Sequence, residues 1–115
     1  MELTDYILNL GRVVAYYPNL KILTGSTTAT ILLCQLLYWT KKTKDPSGWI
    51  WKTALDIEEE TGLTKNEQKT AISTLVASKL ISREVKRLDH GTRYKVNVDV
   101  LNKKWRDING EGALS

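Results

Sequence analysis

This sequence is short of the groups from which most enzyme sites are built. It holds one cysteine, Cys34, so no intrachain disulfide can form, and a lone thiol inside an apolar run suits a reducing cytoplasm and the role of a small buried hydrophobe. It holds one histidine, His90, in a stretch that reads as a loop tip. There is no Cys/His spacing for a metal, no glycine-rich loop for a phosphate and no glycine-flanked nucleophilic serine. The acids between Asp56 and Glu60 have no histidine beside them in the sequence. The expectation is a protein that is not an enzyme and that carries no cofactor and no metal. Membrane signals are missing as well. Met1-Glu2-Leu3-Thr4-Asp5 has neither the basic start nor the apolar run of a signal peptide. The longest apolar stretch, Ala29 to Trp39, is interrupted by Gln35 and is too short to span a bilayer.

What is present fits one globular domain. With 115 residues, 42% hydrophobic and 26% charged, the chain can bury its own core and has no room for a second one. The net charge of +4 is unevenly placed. Residues 41 to 52 carry +3, residues 53 to 64 carry −4 and residues 65 to 95 carry +5, while the remaining segments cancel. A polyanion partner would account for the two basic segments, because neutralising phosphates supplies most of the non-specific affinity for DNA. The acidic segment would be repelled by such a partner. Its Glu58, Glu59 and Glu60 are therefore expected to point away from it, toward a protein partner if one exists.

The most informative stretch runs from Thr53 to Ile81. Thr53 stands three residues before Asp56, and Thr64 three before Glu67, so each pair can form a capping box at a helix start. Gly62 lies between them, where the positive φ of a helix end is needed. Helices are expected over residues 53 to 61 and 64 to 79, joined by a turn short enough to make them cross steeply as a helix-turn-helix. In the second helix Ala71, Ile72, Leu75 and Val76 form an inward stripe, continued by Leu80. Lys65, Asn66, Lys69, Thr70 and Ser73 fall on the other side. Amides and hydroxyls can read base edges in a major groove while ammonium groups meet phosphates; the same pattern also describes an ordinary helix with a solvated face.

The flanking sequence favours DNA. Residues 82 to 98 hold two alternating runs around Asp89-His90-Gly91-Thr92, which is a β-hairpin pattern. Alternation turns Val85, Tyr94, Val96 and Val98 inward and Lys86, Arg93, Lys95 and Asn97 outward. A basic hairpin directly after a helix-turn-helix is a wing. The run from Trp49 to Val98 thus resembles winged-helix DNA-binding domains in its order of strand, helix, turn, recognition helix and wing. Two positions differ from the usual helix-turn-helix pattern: Glu58 stands where a small residue is common, and Gln68 where an aliphatic one is. More narrowly, Tyr16-Tyr17-Pro18 followed by an apolar helix ending Leu36-Leu37-Tyr38-Trp39 is similar to the N-terminal domains of phage and mobile-element replication proteins, of initiator or helicase-loader type. The likeness covers roughly Tyr6 to Val98. It implies double-stranded DNA as the partner, with Lys65, Asn66, Lys69, Thr70 and Ser73 in the major groove and Arg87, His90 and Arg93 of the wing on the backbone or minor groove. It also implies replication initiation in the cytoplasm of a bacterial cell or phage-infected host. Transcriptional repression is the alternative within the class; a winged helix serving as a protein-interaction or dimerisation module is the alternative outside it.

The fold expected is mainly α with a small antiparallel β-sheet (α+β), a winged helix-turn-helix with an N-terminal extension. The domain spans residues 1 to 107. Residues 1 to 25 form the extension, in which Tyr6 to Leu10 suits a strand or helix start, Gly11 to Tyr17 a short helix stopped by Pro18, and Asn19 to Leu23 a further turn closed by Gly25. Residues 26 to 42 form the first core helix, capped by Ser26 or Thr27 and apolar around most of its circumference, so that it must be covered on most sides. If the extension leaves its outer face bare, that face suits a homodimer. Residues 49 to 52 form a strand whose Trp49 and Trp51 are expected to seal the sheet against helices, with base stacking as the alternative; for Tyr16 and Tyr17 core packing is expected over base stacking. Residues 99 to 107 suit a terminal helix packing Leu101 and Trp105, and residues 108 to 115 a frayed tail.

Overall fold

The computed structural model describes residues 2–8, 16–86 and 91–109, and it is mainly helical with a small three-stranded antiparallel sheet, an α+β arrangement. Its organising element is a helix, α3 (Thr27–Thr40), begun by Ser26, whose hydroxyl accepts the Ala29 N–H at 3.3 Å. Ala29, Leu32, Leu33, Cys34 and Leu36 along it are buried, as are the polar Thr30 and Gln35. Thr30 causes no deficit, because its hydroxyl donates to Ser26 O at 2.8 Å and lies 2.7 Å from the Thr24 hydroxyl. Burial pushes the Cys34 thiol above its ordinary range, and its sulfur accepts the Tyr17 N–H at 3.4 Å.

Two short pieces precede this helix. α1 (Leu3–Leu8) is helical, and α2 (Lys21–Thr24) follows a single 3-10 turn over Pro18–Leu20, so helical structure starts at the proline itself, one residue before the turn expected from Asn19. Gly25, at φ 75°, closes α2 and lets the chain turn by 110° into α3. Leu20 and Leu23 lie partly buried against the core, so this segment does cover part of α3. Tyr16 and Tyr17 are nevertheless 41% and 57% exposed, against the expectation that they pack inward. The apolar side of α3 here is occupied by leucines, which leaves the two phenols outside. The helix expected over residues 11 to 17 falls largely outside the described residues. Among those described, no single helix is long and apolar enough to cross a membrane.

The sheet is formed by β1 (Ile50–Trp51), β2 (Ile81–Lys86) and β3 (Gly91–Val96), ordered β1-β3-β2. Ile50 pairs with Tyr94 and Ile81 with Val96, and all four are buried on the face toward α3. Because successive residues of a strand alternate faces, Trp51 must then point the other way, and it is 47% exposed. The expectation that both indoles seal the sheet against the helices is thus corrected: Ile50 has that position. Val85 pairs with Thr92 far along the hairpin, past the core, and is 54% exposed; Val98 has left the strand for α6 (Val98–Asn109) and is 44% exposed. In α6 Leu101 is buried and Trp105 half-buried, as expected, while the helix extends through Ile108 and Asn109, which were assigned to the tail.

One side chain joins three elements. Glu60, near the end of helix α4 (Ala54–Thr61), accepts from Gln35 Nε2 at 2.8 Å and Trp39 Nε1 at 2.7 Å of α3, and from Lys52 Nζ at 2.5 Å just after β1. Lys52 also lies over the Trp39 ring, 3.6 Å from its centre. Glu60 therefore faces inward and is not available to a partner as expected. Replacing it leaves a lysine, an indole N–H and an amide without their acceptor. Glu60→Ala should cost about 2 kcal/mol in urea unfolding, and Glu60→Gln less, since a neutral amide oxygen can still accept from Gln35 and Trp39.

Candidate nucleic-acid interface

The connection between α4 and the next helix, α5 (Lys65–Ala77), is Gly62-Leu63-Thr64. Both capping boxes form. Thr53 accepts the Asp56 N–H and Asp56 accepts the Thr53 N–H, each at 3.0 Å; Thr64 and Glu67 do the same at 3.2 and 2.9 Å. The bonds from Thr53 hold the Asp56 carboxyl below the usual carboxylate range. Gly62 caps α4 in the left-handed region at φ 79°, and Leu63 is buried beneath the turn. Gln68, in the place where an aliphatic residue is common, is 2% exposed, and its Nε2 donates to both Ala54 O and Leu63 O at 2.9 Å. An amide here does what a methyl group cannot: it ties the first turn of α5 to the start of α4 and to the connecting turn at once.

Helix α5 packs chiefly on α3, through buried Ala71 and Leu75. Lys65, Asn66, Lys69, Thr70 and Ser73 are all exposed, so the structure gathers these five sequence-selected residues on the open side of one helix. The only acid of α5, Glu67, has its Oε1 occupied by the Thr64 N–H. Farther along, the open side changes character. Val76, expected inside, is 41% exposed, Ala77 is exposed and Ile72 only partly buried. With Ser73 and with Arg83 and Val85 of β2 they line a shallow groove of about 410 Å³. The inward stripe is narrower than expected: Ala71 and Leu75 are fully buried, Ile72 packs against the core only in part, and Val76 falls on the groove side.

The end of α5 is fixed by three contacts. Lys79 takes the left-handed conformation at φ 64°, its N–H donates to Val76 O at 3.0 Å and that of Leu80 to Leu75 O at 3.0 Å, which is a Schellman closure with lysine where glycine is usual. Asn97 Nδ2 donates to Lys79 O at 2.8 Å, and Lys104 Nζ of α6 to Ser78 O at 2.8 Å. The last carbonyls of α5 are thereby satisfied from β3's end and from α6.

The hairpin residues divide. Arg87 and His90 lie outside the described residues. Arg93 is turned onto the sheet: its guanidinium carbon is 4.3 Å from the centre of the Trp49 ring, and its Nη2 donates to Glu84 at 2.9 Å. It is thus committed inside the protein, contrary to the expectation of a free wing cation. Arg83, not selected from the sequence, is exposed in the groove and hydrogen-bonded to the Tyr94 hydroxyl, whose titration burial pushes upward. The signal for it was the β2 alternation, which puts Arg83 on the same face as Ile81. Among the acids, Glu58 and Glu59 are exposed, unlike Glu60. No group of His, Cys, Asp and Glu able to hold a metal occurs among the described residues.

Compared with known proteins, the chain matches no family model, no curated protein and no solved structure. For the turn that aims α5, Gln68→Leu should lower stability by about 1 kcal/mol in denaturant titration, because two carbonyls lose their donor while the side-chain volume is kept.

Proposed function

We propose that this is a winged-helix domain that binds duplex DNA, with α5 as the recognition helix, in phage or plasmid replication initiation. The observation that carries the reading is the open side of α5: two lysines, an amide and two hydroxyls are exposed over its first turns, with no uncommitted acid. Exposed lysines meet phosphates without sequence preference, and Asn66, Thr70 and Ser73 have the donors and acceptors that distinguish base pairs in a major groove. The order of strand, capped helix, three-residue connection, capped helix and hairpin supports the winged-helix assignment. The replication setting rests on the likeness of residues 6 to 98 to replication-protein N-terminal domains, and transcriptional repression is its rival.

A second reading has its own observation. The groove of Ile72, Val76, Ala77 and Val85 presents apolar surface next to the polar turns of α5, and a protein segment could occupy it, as in an interaction module. The two readings differ in which end of α5 matters. Anisotropy of a labelled generic duplex should show binding that weakens steeply between low and moderate salt. Lys65→Glu/Lys69→Glu should abolish that binding with the thermal transition unchanged. Arg93→Ala should weaken duplex binding far less, since that guanidinium is already paired. Duplex binding that survives the double charge reversal would remove α5 from the interface.

A further inference from the structure

The sheet has two faces, and only one is used by the core. Ile50, Ile81, Tyr94 and Val96 fill the inner face. On the outer face Trp51, at the edge strand β1, pairs with Arg93 of β3 and keeps 47% of its surface open. Its surroundings are ordered around it. Arg93 lies 5.8 Å from the centre of the Trp51 ring and 4.3 Å from that of Trp49, and Glu84 holds it there at 2.9 Å. Trp49 is fixed through its backbone, whose carbonyl accepts from the Thr43 hydroxyl at 2.7 Å and whose N–H donates to Asp45 Oδ2 at 3.0 Å. Lys95, two residues beyond Arg93 on β3, lies on this same outer face.

We propose that the outer sheet face around Trp51 is a second nucleic-acid site, which stacks the bases of unpaired DNA while Lys95 of the same face meets its phosphates. An open indole offers a π-surface that every base matches, and stacking of this kind is tolerant of sequence. The charge beside it has the sign that a phosphate chain requires. The nearby acids do not oppose it: Glu84 is bonded to Arg93, and Asp45 Oδ2 accepts backbone N–H groups of Ser47 and Trp49. Since α5 packs with α3 on the inner side of the sheet, a duplex on α5 and a single strand on Trp51 approach from different sides. The proposal stands apart from the duplex reading and survives its failure.

The test is anisotropy of a labelled oligothymidylate of about 15 nucleotides, on the order of the site size of single-strand binders, at low salt. Wild-type protein should bind it. Trp51→Ala should weaken binding about tenfold, the expected loss of one stacked base, without altering thermal unfolding or the Lys65-dependent duplex binding. Trp51→Phe should restore most of the affinity, and Lys65→Glu/Lys69→Glu should leave it intact. Failure of the wild type to bind at low salt, equal binding by Trp51→Ala, or loss of binding in the double charge reversal would each overturn the proposal. Binding of an oligouridylate in place of the oligothymidylate would overturn the assignment to DNA.

Discussion

The burial of α3 is the constraint from which the remaining structure follows. A helix with apolar residues around most of its circumference cannot face water on more than one side, so its neighbours are placed to cover it. Residues 18–24 lie over one flank, α5 over another, and the sheet presents Ile50, Tyr94 and Val96 to a third. Polar positions on α3 are then tolerated only with partners, which is why Thr30 is closed by Ser26 and Thr24 and Gln35 by Glu60. The position of α5, and with it the open polar side that the proposed function needs, is a consequence of that packing rather than of any property of α5 alone.

Much of this was legible in the sequence where a local rule decides the outcome. Thr53 with Asp56, Thr64 with Glu67, Gly62 between them and Ser26 before the apolar run each specify a helix end through bonds within four residues, and each stands where expected. The α+β class follows from those ends and from the alternating hairpin. What could not be read depends on which of two equivalent faces a neighbour takes. Trp49 and Trp51 have the pattern of inward residues, but Ile50 between them holds the inner position. Val76 and Val85 have the pattern of buried residues, but the partner surface stops short of them. Arg93 and Glu60 reverse their apparent roles for a related reason: a charged side chain in a sequence says nothing of whether a counter-charge waits across the sheet or on the next helix.

The candidate surfaces differ in how firmly they are held. The polar turns of α5 are set by Gln68 at one end and by Asn97 and Lys104 at the other, so their direction relative to the sheet is tightly constrained. That suits recognition, in which a misplaced helix loses base contacts before phosphate contacts. The outer face of the sheet is held by stacking of Arg93 on Trp49 and by the loop's attachment to the Trp49 backbone, a geometry that leaves one indole face unassigned.

The turning inward of Glu60 also changes what a distant polyanion would sense. Counted along the chain, residues 53 to 64 form an acidic block that ought to offset the basic segments on either side. Glu60 and Lys52, however, close on each other with side chains only 21% and 11% exposed, so to a first approximation they form a neutral dipole seen from outside. The acid that remains in the far field of α4 comes mainly from Asp56, Glu58 and Glu59. The long-range potential that guides a charged partner during diffusional approach is therefore shaped by where charges are cancelled, not by their tally. Within a screening length of about 10 Å at moderate salt, a phosphate chain approaching the open side of α5 would meet its lysines with one acid of α4 already cancelled.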